Sequence, residues 1–236
     1  MAEYSEKGAV VLDLDGTLYS LTKGVGAIYH ELLLSQGFTS DEGALEAAVR
    51  RVWPPFRDTY LNVAEGYRTT HEREREVWFE FVRRVCGAAN LSCGSNPTVV
   101  EFIYNAFASR AYRRIGEGAL EFLRRAHERG IVLVAATNND RRSKVTLQQL
   151  DLDCYFTHVV VAGDLGWKKP SPNFFASLAN RIGLHPSTII HVGNDRELDV
   201  EAARRCGFSA VLYSAKDEGV NPRVSSFAEL GSLIGV

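Results

Sequence analysis

At 236 residues, with 45% hydrophobic and 24% charged side chains, the chain is long and apolar enough to bury a core as one large domain or two modest ones. A formal net charge of −2 excludes bulk attraction to nucleic acid or to an anionic membrane, so any anion must be captured by a local site. The 4 cysteines, Cys86, Cys93, Cys154 and Cys206, form no Cys-x-x-Cys pair, which disfavours a zinc site or disulfide framework and suits reduced thiols in a cytoplasmic protein. The opening Met-Ala-Glu-Tyr-Ser-Glu-Lys is too polar for a signal peptide, and the apolar stretch at 131–136 falls far short of the ~20 residues of a membrane helix.

In chain order, the first element is a β-branched run at 9–14, predicted as a buried strand. It ends in Asp13-Leu14-Asp15-Gly16-Thr17. The stretch 22–114 contains no convincing strand. Val25, Ile28, Leu32 and Leu33 fall on one helical face, and Leu45, Val49 and Val52 on a second. Val77, Trp78, Phe81, Val82 and Val85 form a third stripe, and Val99, Ile103, Ala106 and Phe107 a fourth. Breaks are predicted at Gly37, at Pro54-Pro55 and across Cys93 to Pro97. The alternation Glu-Arg-Glu-Arg-Glu at 72–76 reads as a solvated helix start. From 116 onward, strands at 131–136, 158–161, 188–192 and 210–213 alternate with helices at 119–129, 142–150, 172–182 and 199–206. That alternation predicts an α/β fold with a doubly wound parallel sheet.

Four segments carry candidate chemistry. Asp13 and Asp15 stand two apart at a strand's C-terminal end, where open α/β sheets bind ligands. One carboxylate can attack while the other exchanges protons, and Gly16 lets backbone approach an anion. Alone, the same residues are an ordinary Asp-Gly turn. Thr137-Asn138 follows the second core strand, Lys169-Pro170-Ser171-Pro172 puts a lysine before a rigid turn, and Gly193-Asn194-Asp195 follows a further strand, with Asp199 beyond it. Each has a bland reading as a cap, a turn or solvated surface.

Taken in order, the four segments resemble the sequential motifs of the haloacid dehalogenase (HAD) superfamily, over 10–17 and 117–213. The resemblance implies a Rossmann-like core at 1–20 and 115–236, with a C1-type, all-helical cap inserted at 21–114. It implies a Mg²⁺-dependent phosphatase with Asp13 as nucleophile and Asp15 as acid and then base, the Asp15 main-chain carbonyl joining the metal shell. Thr137, with neighbouring N–H groups at Gly16 and Asn138, would hold the phosphoryl group, and Lys169 would neutralise charge between it and Asp13. The family usually has an acid directly after the last motif's glycine; here Asn194 stands there, so either Asn194 or Asp195 completes the metal set. Tyr19 and Lys23 open the cap connection and are expected to face substrate; Arg57, Arg68 and His71 are weaker candidates, and Trp78 and Phe81 read as cap core. The implied partner is a small phosphorylated metabolite, with no nucleic acid or membrane, for a monomer or homodimer. Phosphomutase, 2-haloacid dehalogenase and a non-catalytic binding protein retaining the fold are the alternatives. Asp15 favours phosphate over halide chemistry, because a departing halide needs no proton.

Overall fold

The computed structural model describes residues 8–216 and 219–236; the opening segment on which the signal-peptide reading rests, residues 1–7, lies outside the described residues. Strand β1 (Ala9–Leu12) is followed by a short β2 (Tyr19–Leu21) and by four long helices, α1 (Val25–Ser35), α2 (Glu42–Leu61), α3 (His71–Ala88) and α4 (Pro97–Ala106). The chain returns through β3 (Arg113–Ile115) and then alternates: α5 (Ala119–Glu128), β4 (Val132–Thr137), α6 (Arg142–Gln149), β5 (His158–Val161), a short α7 (Ala162–Leu165), α8 (Pro172–Ile182) and β6 (Ile189–Gly193). A π-helical turn (Arg196–Glu201) leads into α9 (Ala202–Arg205), β7 (Ser209–Tyr213), β8 (Arg223–Val224) and α10 (Phe227–Ile234).

The main sheet is six-stranded and wholly parallel, in the order β5-β4-β1-β6-β7-β8. Every residue of β1 is buried, as a central strand covered on both faces requires. Alternate side chains serve opposite layers. Val10, Leu12, Leu133 and Ile190 pack with Phe122, Leu147 and Phe227, whereas Ala9, Val11 and Val134 pack with Phe174, Phe175 and Leu178. With β1 between β4 and β6, the strand ends bearing Asp13, Thr137 and Gly193 share one edge.

Helices α1 to α4 gather around a cluster of their own, drawn from Ile28, Leu33, Leu45, Phe56, Phe81, Val85 and Ile103 among others. Three details differ from expectation. Strands β2 and β3 pair antiparallel, so Arg113 and Arg114 are extended and the 21–114 segment is not helical throughout. Helix α2 runs on through Pro54 and Pro55. Both prolines are exposed, which leaves the carbonyls they free open to water, while Leu45, Ala48, Phe56 and Tyr60 anchor the helix on either side. Glu74, in the charge run taken for solvated surface, is completely buried. Among the described residues no helix is long and apolar enough to cross a membrane.

Candidate active site

The edge is built around Lys169. Its buried ammonium donates to Asp13 Oδ1 at 2.7 Å and to Asp199 Oδ1 at 2.6 Å, with the Ala136 carbonyl at 3.4 Å. Asp199 reaches this point from the π-helical turn because Gly193 has no side chain: a Cβ there would lie 2.2 Å from the Asp199 Cγ. Asp199 also accepts from the Asp195 N–H at 3.1 Å and from His191 Nε2 at 3.0 Å. A carboxylate can only accept, so His191 carries its proton on Nε2.

These contacts divide the charge unequally. Burial alone would raise Asp199, but Lys169 and His191 outweigh it and hold the carboxyl well below the usual range. Burial pushes Asp13 up to about 7, with Lys169 pulling against it and Asp199 and Asp15 adding to it. Burial also opposes the Lys169 charge, yet the two carboxylates overcome it and keep the amine protonated. Asp13 is therefore a buried carboxylate with half a counter-ion.

Asp15, two residues on, is held differently. Its Oδ1 accepts from Arg113 at 2.8 Å and its Oδ2 from Asn139 Nδ2 at 2.6 Å. Arg113 stands 98 residues away in sequence and is brought back by the β2–β3 pairing. Asn139 in turn meets the Tyr60 hydroxyl of α2 at 3.1 Å, and its N–H donates to Thr137 Oγ1 at 3.1 Å. Asn138 brackets the lysine loop, accepting from the Lys169 N–H at 2.6 Å and donating to its carbonyl at 2.9 Å. Asn138 thus positions Lys169 through the backbone.

On the other side of Asp13, Thr17 Oγ1 lies 3.3 Å from Asp13 Oδ2 and 3.4 Å from Asn194 Oδ1. Gly16, at φ 85°, makes room: a Cβ there would lie 2.4 Å from Asn194 Nδ2. Asn194 is exposed at this edge. Asp195 instead caps the following turn, accepting from the N–H groups of Glu197 and Leu198 at 2.9 Å, with Arg57 at 3.9 Å. Among the described residues no three carboxylate, imidazole or thiol groups gather to hold a metal. A cation beside Asp13 would meet the Asp13 carboxylate and the Asn194 amide oxygen, which lie 3.3 and 3.4 Å from Thr17 Oγ1. That set fits a hard ion such as Mg²⁺, and the partly compensated Asp13 calls for one.

Other expected residues are placed elsewhere. Tyr19 is buried beneath the Arg113 guanidinium, 5.3 Å from its ring centre. Lys23 pairs with Glu31 at the surface. Arg68 stacks on Trp167 at 5.0 Å, and His71 contacts Asp164 at 3.2 Å. Lys168, the neighbour of the central lysine, is fully buried, 2.8 Å from Glu74 Oε2 of α3 and 3.3 Å from the Tyr60 ring centre. Burial pushes its ammonium down to about 8 despite Glu74. Beside Asp15 a cavity of about 520 Å³ opens between the sheet edge and the helices, and both Trp78 and Phe81, expected as core alone, form part of its wall. Arg113, Asn139, His191 and Tyr60 carry no motif signal. Asn139 alone adjoins one, as the next residue after Thr137-Asn138.

A family model described as haloacid dehalogenase-like hydrolase matches residues 7–207. Haloacid dehalogenase-like hydrolase domain-containing protein 3 of Homo sapiens is 25% identical over 201 residues, covering 85% of this chain and 79% of its own. Glyceraldehyde 3-phosphate phosphatase of Methanopyrus kandleri is 26% identical over 225 residues, 91% of this chain and 88% of its own. The magnesium-bound HAD-hydrolase YfnB of Bacillus subtilis superposes with a TM-score of 0.78 at 14% identity, covering 98% of this chain and 100% of that one. The family match runs from the first strand to the end of α9, through every residue of the Asp13–Lys169–Asp199 network, and the chain belongs to the haloacid dehalogenase-like hydrolases.

Proposed function

We propose that the protein is a Mg²⁺-dependent phosphatase that hydrolyses a small phosphomonoester through an aspartyl-phosphate on Asp13. The observation that carries this reading is the Lys169 ammonium bonded to Asp13 at 2.7 Å, with Asp15 two residues along the same strand end. The phosphatase name of one relative supports it further. In the first half-reaction an Asp13 oxygen attacks phosphorus, the bond to the leaving oxygen breaks, and Asp15 gives that oxygen its proton. In the second, Asp15 takes a proton from water, whose oxygen attacks the same phosphorus and frees Asp13 with release of phosphate. Lys169 offsets charge on Asp13 and on the phosphoryl oxygens throughout. Thr137 and the N–H groups after Asp13 orient the phosphoryl group. Asp13, Asn194 and the Asp15 carbonyl would hold Mg²⁺, with Asp195 the other candidate. When bound, Mg²⁺ supplies positive charge where carboxylate and phosphoryl oxygens converge. Arg113 and Asn139 fix Asp15 as positioning residues.

Asp13→Asn removes the attacking oxyanion while nearly preserving shape. Turnover of a phosphomonoester panel is expected to fall by about 10⁴-fold or more, with an unchanged circular dichroism spectrum. With Mg²⁺, beryllofluoride is expected to attach to the wild type and not to the variant, read by fluorine NMR. Activity in purified Asp13→Asn close to wild type would refute the covalent role.

A further inference from the structure

The cavity beside Asp15 is apolar where the helices form its wall. Val49 and Trp53 come from α2, Trp78, Phe81 and Val82 from α3, and Phe107 follows α4. The Trp53 and Trp78 rings are within 9° of parallel, and Phe81 stands edge-on to them at 86° and 88°. Apart from the exposed Arg50, most polar groups of the wall are already engaged. Arg142 pairs with Asp140 at 2.9 Å and donates to the Tyr104 carbonyl at 2.7 Å, while the Tyr104 hydroxyl donates to Asp140 at 3.0 Å. Arg113 and Asn139 hold Asp15 at 2.8 and 2.6 Å. Among the described cavity residues, the buried donors lacking an acceptor are Trp78 Nε1 and Arg113 Nε. A polyol here would bury several hydroxyls without partners, a cost an aromatic ring avoids.

We infer that the leaving group of the substrate is an aromatic or similarly apolar alcohol, not a sugar or other polyol. The inference rests on the phosphatase reading for its phosphoryl end. Asp15, which protonates the leaving oxygen in that reading, is itself part of the cavity wall. The group released from phosphorus therefore lies on the cavity side of the site. The volume of about 520 Å³ is ample for a ring and a short linker.

The test compares 2-phenylethyl phosphate with glucose 6-phosphate. Both release a primary alcohol, so intrinsic leaving ability is matched. The wild type is expected to favour the phenylethyl ester by about ten-fold or more in kcat/KM, and Trp78→Ala and Val82→Asn are each expected to shrink that preference. Equal or greater activity on the sugar ester, or a preference that survives both substitutions, overturns the inference and leaves the phosphatase reading standing. If neither ester is turned over, the phosphatase reading is decided on the wider phosphomonoester panel, and binding decides the cavity separately. Two of the protein's 3 tryptophans line it, so titrating Asp13→Asn with 2-phenylethyl phosphate is expected to change tryptophan emission saturably at concentrations where glucose 6-phosphate does not. No change, or the same change with the sugar ester, overturns the inference.

Discussion

One ammonium serving two carboxylates sets the chemistry of individual residues here. Asp199 has His191 and a backbone N–H besides Lys169, so it retains its charge, whereas Asp13 relies on Lys169 and is pushed up to about 7 by burial. A further cation beside Asp13 would restore the balance, which gives the amide at position 194 its importance. Mg²⁺ gains most from anionic oxygens, so Asn194→Asp is expected to lower the Mg²⁺ concentration for half-maximal turnover by about ten-fold. Asp195→Asn is expected to shift it less, because that carboxylate is occupied by the Glu197 and Leu198 N–H groups and asparagine caps about as well. A larger shift from Asp195→Asn than from Asn194→Asp, measured by Mg²⁺ titration of activity, would exchange their roles. Asp13, Asp15 and Lys169 were legible in the sequence because each ends a strand or precedes a rigid turn in a fixed order. Arg113 was not: its contact with Asp15 exists only after the helical insertion has folded and returned the chain.

At the scale of elements, α2 and α3 meet the sheet edge through polar contacts. Tyr60 touches the Asn138 carbonyl and the Asn139 amide, and Glu74 pairs with Lys168 inside a fully buried pocket. Such a pair contributes little net stability, since dehydrating both ions offsets their attraction, but losing one partner strands the other. Lys168→Met is therefore expected to destabilise the fold by about 3–5 kcal/mol. Adding Glu74→Gln should recover most of that loss, because the neutral amide can keep a bond to Thr69. Urea midpoints of the two variants decide it, and a double variant no more stable than Lys168→Met would show that Glu74 is not the stranded charge. The alternation of charges at 72–76 hid this contact. Periodicity assigns a face, but one residue of the run, Glu74, is turned toward a lysine nearly a hundred positions away. The helix through Pro54-Pro55 escaped for a related reason, as the anchoring on both sides of the prolines is tertiary.

For the whole molecule, the sheet layers and the helical insertion have separate apolar clusters. Among the described residues, the insertion's cluster, running from Leu21 to Tyr112, takes in Leu198 alone from the later chain. With a largely polar seam between them, the two parts are not expected to unfold as one unit. Trp53 and Trp78 lie in the insertion and Trp167 packs with the sheet layer. In a Trp167→Phe variant, fluorescence therefore reports the insertion alone, whereas far-UV circular dichroism reports the helices of both parts. Their transitions in urea are expected not to coincide; coincident curves would contradict separate cores. The parallel strands were readable because doubly covered strands are continuous apolar runs. Strands of two or three residues, β2, β3 and β8, carry too little pattern to be read.

The Lys168–Glu74 pair also makes the seam a matter of protons. Enclosed, the Lys168 amine is pushed down by burial to about 8; wetted, it would return toward the ordinary lysine value of 10.5. Any motion that admits water to this pair therefore takes up a proton between those two values. Within that window rising alkalinity favours the docked arrangement, and falling pH favours the parted one until the buried amine is itself protonated, below which the bias is constant. The insertion and the sheet are thus linked through solvent protons at a position next to the lysine that serves Asp13.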